Sequence, residues 1–131
     1  MNVRITLAAL TLSVCAPLAL AAPAQASHGG GKGVRDSGRC SGSAHWKLKA
    51  KPDNGRIEVE AEVDSNHSGQ VWKWRIKHNG STSAHGAATT HGASGSFTVS
   101  RRMANLAGTD RFSFRAERRG TGEICHGAIS L

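Results

Sequence analysis

The feature that most constrains the fold is a two-residue alternation on either side of an Asn-Gly pair. In HWKLKAK, residues 45–51, apolar residues alternate with lysines, and in RIEVEAEVD, residues 56–64, they alternate with carboxylates. Period-two alternation is typical of strands with one buried face, and Asn54-Gly55 between them favours a type I′ hairpin turn. The sequence therefore predicts an antiparallel hairpin.

The turn also predicts the register of this hairpin. A two-residue loop places Asp53 opposite Arg56, and counting outward pairs Trp46 with Val63 and Leu48 with Ala61. The same count gives the charge pairs Lys51–Glu58, Lys49–Glu60 and Lys47–Glu62. A slip by one residue would send the apolar set to the solvent face and break these pairs, so we expect one register only.

Later segments repeat the pattern. VWKWRIK, residues 71–77, is predicted to turn Trp72, Trp74 and Ile76 inward, and Asn79-Gly80 predicts a second hairpin with a return strand over about residues 81–90. Two further strands are predicted, one with Phe97 and Val99 pointing inward and the next with Phe112, Phe114 and Ala116 pointing inward. EICHGAISL is predicted to be the last strand. About seven short strands with turn residues between them predict an all-β fold, an antiparallel immunoglobulin-like β-sandwich.

Tryptophan next to lysine is also found in sites where bases of single-stranded nucleic acid stack. Such a site needs ring and cation on the same face, whereas alternation separates them. Burial of one tryptophan contributes up to roughly 5 kcal/mol, against about 1–3 kcal/mol for a stacked base. The sequence therefore predicts that Trp46, Trp72 and Trp74 belong to the core.

The N-terminus predicts export. A basic start, an apolar run and small residues before Ala26 are typical of a signal peptide over residues 1–26, cleaved after Ala26. We expect a secreted, extracellular protein with no membrane span. Residues 27–39, rich in glycine, are predicted to be a flexible tether, followed by a β-sandwich domain over residues 40–131.

Two cysteines remain once the predicted signal peptide, which contains Cys15, is removed. An even pair in an oxidising compartment predicts a disulfide between Cys40 and Cys125, which would tie the first strand to the last. Neither cysteine has a neighbouring base, so a structural role is favoured over a nucleophilic one.

The positive charge is concentrated in the second half of the chain. Residues 65–131 hold nine Lys and Arg against three Asp and Glu, whereas residues 27–64 hold seven against six. The nine candidates for a polyanion site are Lys73, Arg75, Lys77, Arg101, Arg102, Arg111, Arg115, Arg118 and Arg119. If they share a face, they could attract an anionic polymer such as cell-wall teichoic acid, extracellular DNA or an acidic polysaccharide; the alternative is a solubilising surface.

No motif in the sequence predicts a reaction. The glutamates at 58, 60 and 62 are better explained by lysines opposite them than by acid–base catalysis, because ion pairing keeps a carboxylate charged. Seven histidines show no metal-ligand spacing, although a zinc site assembled across strands stays open. We therefore expect no enzyme activity, no cofactor and no metal; a pocket near His78, His85 and His91 would favour the opposite.

Short strings spread over residues 38–125 resemble small secreted proteins of actinobacteria that have no assigned activity. The strings are GRCSG (38–42), WKLK (46–49), IEVE (57–60), EVD (62–64), GQVW (69–72), NG (79–80), SGSF (94–97) and GEIC (122–125). The resemblance implies export, one disulfide and a β-rich fold, and it carries over no catalytic residue.

Two functions remain as expectations. The first is a secreted, non-enzymatic protein whose basic face binds an anionic envelope or extracellular polymer. The second is a secreted protein-binding or inhibitor module that acts through loops such as residues 64–70 or 102–110, with a protein partner. The two differ in their salt dependence, because contacts with a polyanion weaken as salt is added.

Overall fold

The computed structural model describes residues 32–131, so the predicted signal peptide, its cleavage after Ala26 and residues 27–31 lie outside the described part. Eight strands run in chain order: β1 (Val34–Arg39), β2 (His45–Asp53), β3 (Arg56–Asp64), β4 (Val71–His78), β5 (Ser81–Thr89), β6 (Ser96–Ala104), β7 (Arg111–Arg118) and β8 (Ile124–Ser130). Over this range no helix has the length and apolar character needed to cross a membrane.

The strands form two four-stranded antiparallel sheets. The first sheet has the order β1-β2-β3-β6, and the second has the order β5-β4-β7-β8. The chain changes sheets between β3 and β4, between β5 and β6, and between β6 and β7. Such crossings are typical of immunoglobulin-like sandwiches, and the predicted fold class is confirmed, with one strand more than expected.

The predicted register of the first hairpin is confirmed residue by residue. Asp53 lies opposite Arg56, Trp46 opposite Val63 and Leu48 opposite Ala61. Asn54 and Gly55 both have positive φ, 48° and 77°, which the type I′ turn requires at its two central positions. Asn79 and Gly80 repeat this geometry between β4 and β5.

The inward residues of both sheets form one core. All three tryptophans and all three phenylalanines are buried, and Trp72, Phe112 and Phe114 are fully so. The inward side chains of β2 and β3, among them Leu48 and Ile57, complete the same cluster. The prediction that alternation sorts large rings inward is therefore confirmed.

The predicted flexible tether over residues 27–39 is wrong for Val34–Arg39, which form strand β1. This segment pairs with β2 along its whole length, from Val34 opposite Ala50 to Arg39 opposite His45. An edge strand is held by its backbone hydrogen bonds, so it needs few apolar side chains of its own. Gly38 also leaves room for the Trp46 indole, whose Nε1 would lie 2.9 Å from a Cβ at this position.

The predicted disulfide between Cys40 and Cys125 is confirmed. Cys40 directly follows β1 in the first sheet, and Cys125 lies in β8 of the second sheet, so the bond links the two sheets over a sequence separation of 85 residues. Neighbouring backbone contacts reinforce the junction, because Ser41 N donates to Ile124 O at 2.8 Å.

Replacement of Gly127 by alanine should destabilise the protein by about 1–3 kcal/mol, the usual cost of overpacking a core. A Cβ at Gly127 in β8 would clash with the six-membered ring of the Trp46 indole, which reaches across from the first sheet. Chemical unfolding followed by tryptophan fluorescence measures the change. Ser130→Ala, at the exposed end of β8, is the control and should stay within about 0.5 kcal/mol; equal stability of both variants would contradict this packing.

Candidate functional site

Strand β4 supplies the central cations of the candidate site. Its inward residues are buried, so Lys73, Arg75 and Lys77 point to the outer face of the second sheet. With a rise of about 3.4 Å per residue, the three span about 14 Å along the strand. β4 lies inside the sheet, between β5 and β7, so its outward residues occupy the middle of the face.

Strand β7 adds more cations to the same face. Phe112, Phe114 and Ala116 are buried, which turns Arg111 and Arg115 outward. Arg119 follows the strand, donates its backbone N–H to Val71 O at 2.9 Å, and borders one depression together with Lys73 and Arg75. We define the basic face as the outer face of the second sheet, with its cations Lys73, Arg75, Lys77, Arg111, Arg115 and Arg119.

One row of this face crosses all four strands. His85 of β5 lies opposite Arg75 of β4, which lies opposite Arg115 of β7, which lies opposite His126 of β8. At about 4.8 Å between strands the row is about 14 Å long. Neither histidine is among the nine candidates predicted for a polyanion site. The alternation in the sequence indicates that both histidines point outward, but their alignment with the arginines depends on which strands are neighbours.

The outer faces of the two sheets balance charge to different extents, although the first sheet also has one pair of opposed cations, Arg35 and Lys49, of which Lys49 meets Glu60. On the outer face of the first sheet, lysines face glutamates, with Nζ–Oε1 distances of 3.2 Å for Lys47–Glu62, 3.7 Å for Lys49–Glu60 and 3.6 Å for Lys51–Glu58. On the basic face two arginines, Arg75 and Arg115, are direct cross-strand partners. Like charges directly opposite one another destabilise a sheet, so folding alone gives no reason for this pair.

A single carboxylate opposes the cations of the basic face among the described residues. Glu117 accepts from Arg115, with 3.0 Å between Nη1 and Oε2, and it lies opposite Lys73. Six cations against one acid leave the face with a formal charge of +5 without counting histidine. A face of this kind attracts anions and raises their local concentration.

Three of the nine predicted residues lie elsewhere. Arg101 of β6 has its guanidinium carbon 5.1 Å from the centre of the Trp74 ring, and Arg102 binds Asp53 with 2.8 Å between Nε and Oδ2. Arg118 occupies an inward position in the alternation of β7 and is half-buried. It borders a different depression with residues 67–71. The structure therefore brings six of the nine candidates together.

The histidines considered for an active site do not converge. His78 is buried and contacts Asp110, His85 lies on the basic face, and His91 is exposed and pairs with Ser96. Within residues 32–131 no group of three or more His, Cys, Asp or Glu side chains is placed to hold a metal ion.

The two candidate loops differ in how they are held. The segment after β3 packs against residues 90–96, since Thr90 Oγ1 donates to His67 O at 2.5 Å and Ser65 Oγ donates to Gly95 O at 3.0 Å. The predicted loop 102–110 begins later, because β6 continues to Ala104, and it exposes Leu106.

Comparison with protein-family models, with curated proteins and with solved structures gives no match to this chain, so the site is defined by its own residues.

Proposed function

We propose that this protein is a secreted, non-enzymatic β-sandwich that binds an anionic polymer of the cell envelope or extracellular matrix through its basic face. The observation that supports the proposal is the direct opposition of Arg75 and Arg115 at the centre of a face with six cations and, among the described residues, one acid. The other sheet of the same chain pairs Lys47, Lys49 and Lys51 with glutamates, so the excess of cations over acids is larger on the basic face.

The proposed location rests on two features. The N-terminal sequence has the pattern of a signal peptide, and the Cys40–Cys125 disulfide is of a kind that persists in oxidising compartments outside the cytoplasm. A basic face on an exported protein would attract the negatively charged polymers outside the cytoplasm. Teichoic acids, extracellular DNA and acidic polysaccharides all present repeated anions that a face about 14 Å wide can contact at several points.

Reversal of Lys73, Arg75 and Lys77 to glutamate should weaken binding to heparin or to purified wall polymer by about a hundredfold at 0.1 M salt. Each lost contact with a flexible polyanion lowers the slope of log affinity against log salt concentration by about 0.7. Three lost contacts therefore remove about two decades of the affinity that the protein gains between 1 M and 0.1 M salt. Elution from a heparin column along a salt gradient, followed by affinity measurements at several salt concentrations, gives both the loss and the change in slope.

The control for net charge is the reversal of Lys32, Arg35 and Arg39. These three residues are exposed, lie on β1 or just before it, and change the total charge by the same amount. We expect this variant to elute close to the unmodified protein. Equal losses in the two variants would show that total charge and not the basic face governs binding, and an unchanged elution of the first variant would remove β4 from the site.

A further inference from the structure

We propose that the depression at the centre of the basic face is a subsite for a tetrahedral oxyanion, a sulfate ester or a phosphate, in preference to a carboxylate. The inference rests on the proposed function and names the chemical class of the polymer. The cations that line the depression are Lys73, Arg75, Arg115 and Arg119. The small side chain of Ala87 in β5, which lies opposite Lys73 of β4, gives it depth.

The two arginines are placed to bind one group together. Arg75 and Arg115 lie directly opposite each other, a position that puts Cβ atoms about 4.5–5.5 Å apart. Both side chains therefore start from neighbouring points, and both residues line the same depression. Glu117 accepts from Nη1 of Arg115 at 3.0 Å and leaves the other donors of that guanidinium available.

The shape of the anion decides how well this pair is satisfied. A carboxylate is planar, and its two oxygens are matched by the fork of a single guanidinium. Sulfate esters and phosphates direct their oxygens tetrahedrally, so different oxygens of one group can accept from both guanidiniums and from the ammonium of Lys73. A carboxylate between Arg75 and Arg115 has two oxygens in one plane, so it can match the full fork of one guanidinium and must bind the other with fewer or less well aligned hydrogen bonds.

The experiment compares three polymers with the same backbone. Dextran sulfate, phosphorylated dextran and carboxymethyl dextran, matched in chain length and charge density, are titrated against the full mature chain at fixed salt. We expect the sulfate and phosphate polymers to bind about tenfold more tightly than the carboxylate polymer, the equivalent of about one additional charge-assisted hydrogen bond. The difference between the sulfate and the phosphate arm identifies which oxyanion the subsite favours.

The double variant Arg75→Lys, Arg115→Lys separates geometry from charge. Lysine keeps the charge but cannot form the planar fork, so the variant should lose the tenfold preference and bind all three dextrans about as well as the unmodified protein binds carboxymethyl dextran. Arg101→Lys, Arg102→Lys makes the same chemical change away from the basic face and should retain the preference.

Other outcomes overturn the subsite or the function separately. Equal affinity of the unmodified protein for the three dextrans, or an equal loss for all three in the Arg75→Lys, Arg115→Lys variant, would overturn the subsite while leaving a basic face that binds polyanions. A protein that binds none of the three at low salt would overturn the proposed function as well.

Discussion

Removal of the disulfide by Cys40→Ala and Cys125→Ala should lower the free energy of unfolding by about 4.5 kcal/mol. The bond closes a loop with a sequence separation of 85 residues, and the chain-entropy relation for a loop of this length gives that value. Single domains of this size are stable by only about 5–15 kcal/mol. The variant should therefore unfold about 20–35 °C below the parent.

Calorimetry and denaturant titration of the variant and of the parent protein, the latter with and without a reducing agent, measure this effect. Reduction of the parent should reproduce the loss of stability without replacing any side chain. This comparison separates the effect of the covalent bond from the effect of the two substitutions. The segments next to the bond also meet through other contacts, since Ile124 N donates to Ser41 Oγ at 2.8 Å and Ala44 N donates to Glu123 Oε1 at 2.9 Å. A loss below about 1 kcal/mol would mean that these contacts hold the two sheets together without the disulfide.

The first hairpin could be predicted to the residue because every signal in it is local. The Asn54-Gly55 turn sets the register, and the alternation on both sides agrees with it. β1 could not be predicted in this way. Its six residues hold one valine and three charged side chains in a glycine-rich stretch, and what orders them is an antiparallel partner that follows later in the chain.

The candidate site could be predicted only in part, for the same reason. Alternation within β4 and β7 correctly indicates which cations point outward, and the inward parity of Arg101 and Arg118 could have excluded those two. It cannot indicate that Arg75 and Arg115 are direct partners, because that depends on the order of the strands in the second sheet. The feature that distinguishes a site from a merely charged surface is therefore a property of the fold.

Loss of the buried contact between His78 and Asp110 should have the second large effect. His78 has the same inward parity as Trp72, Trp74 and Ile76, and its Nε2 lies 2.5 Å from Oδ1 of Asp110, with both side chains buried. The imidazole also stacks on Phe112, with ring centroids 4.5 Å apart. This contact joins the end of β4 to the start of β7 at the end of the core.

We expect Asp110→Ala to destabilise the protein by about 3–5 kcal/mol, because it leaves a polar imidazole buried without its acceptor. The main chain of Asp110 also exchanges two hydrogen bonds with Leu131, at 3.0 and 2.9 Å, so the C-terminus should lose protection from hydrogen exchange in the same variant. Asp110→Asn keeps the shape and one acceptor oxygen and should cost less than the alanine variant.

A double-mutant cycle between His78→Ala and Asp110→Ala tests the interaction itself. If the contact stabilises the fold, the double variant should be more stable than the sum of the single losses predicts, by at least about 1 kcal/mol. Additive losses would show that each side chain acts through packing alone. The pair lies in the core and not on the basic face. All of these variants that remain folded should therefore keep the affinity of the parent for heparin. A selective loss of heparin binding by a folded Asp110→Asn protein would mean that this end of the sandwich also positions the cations.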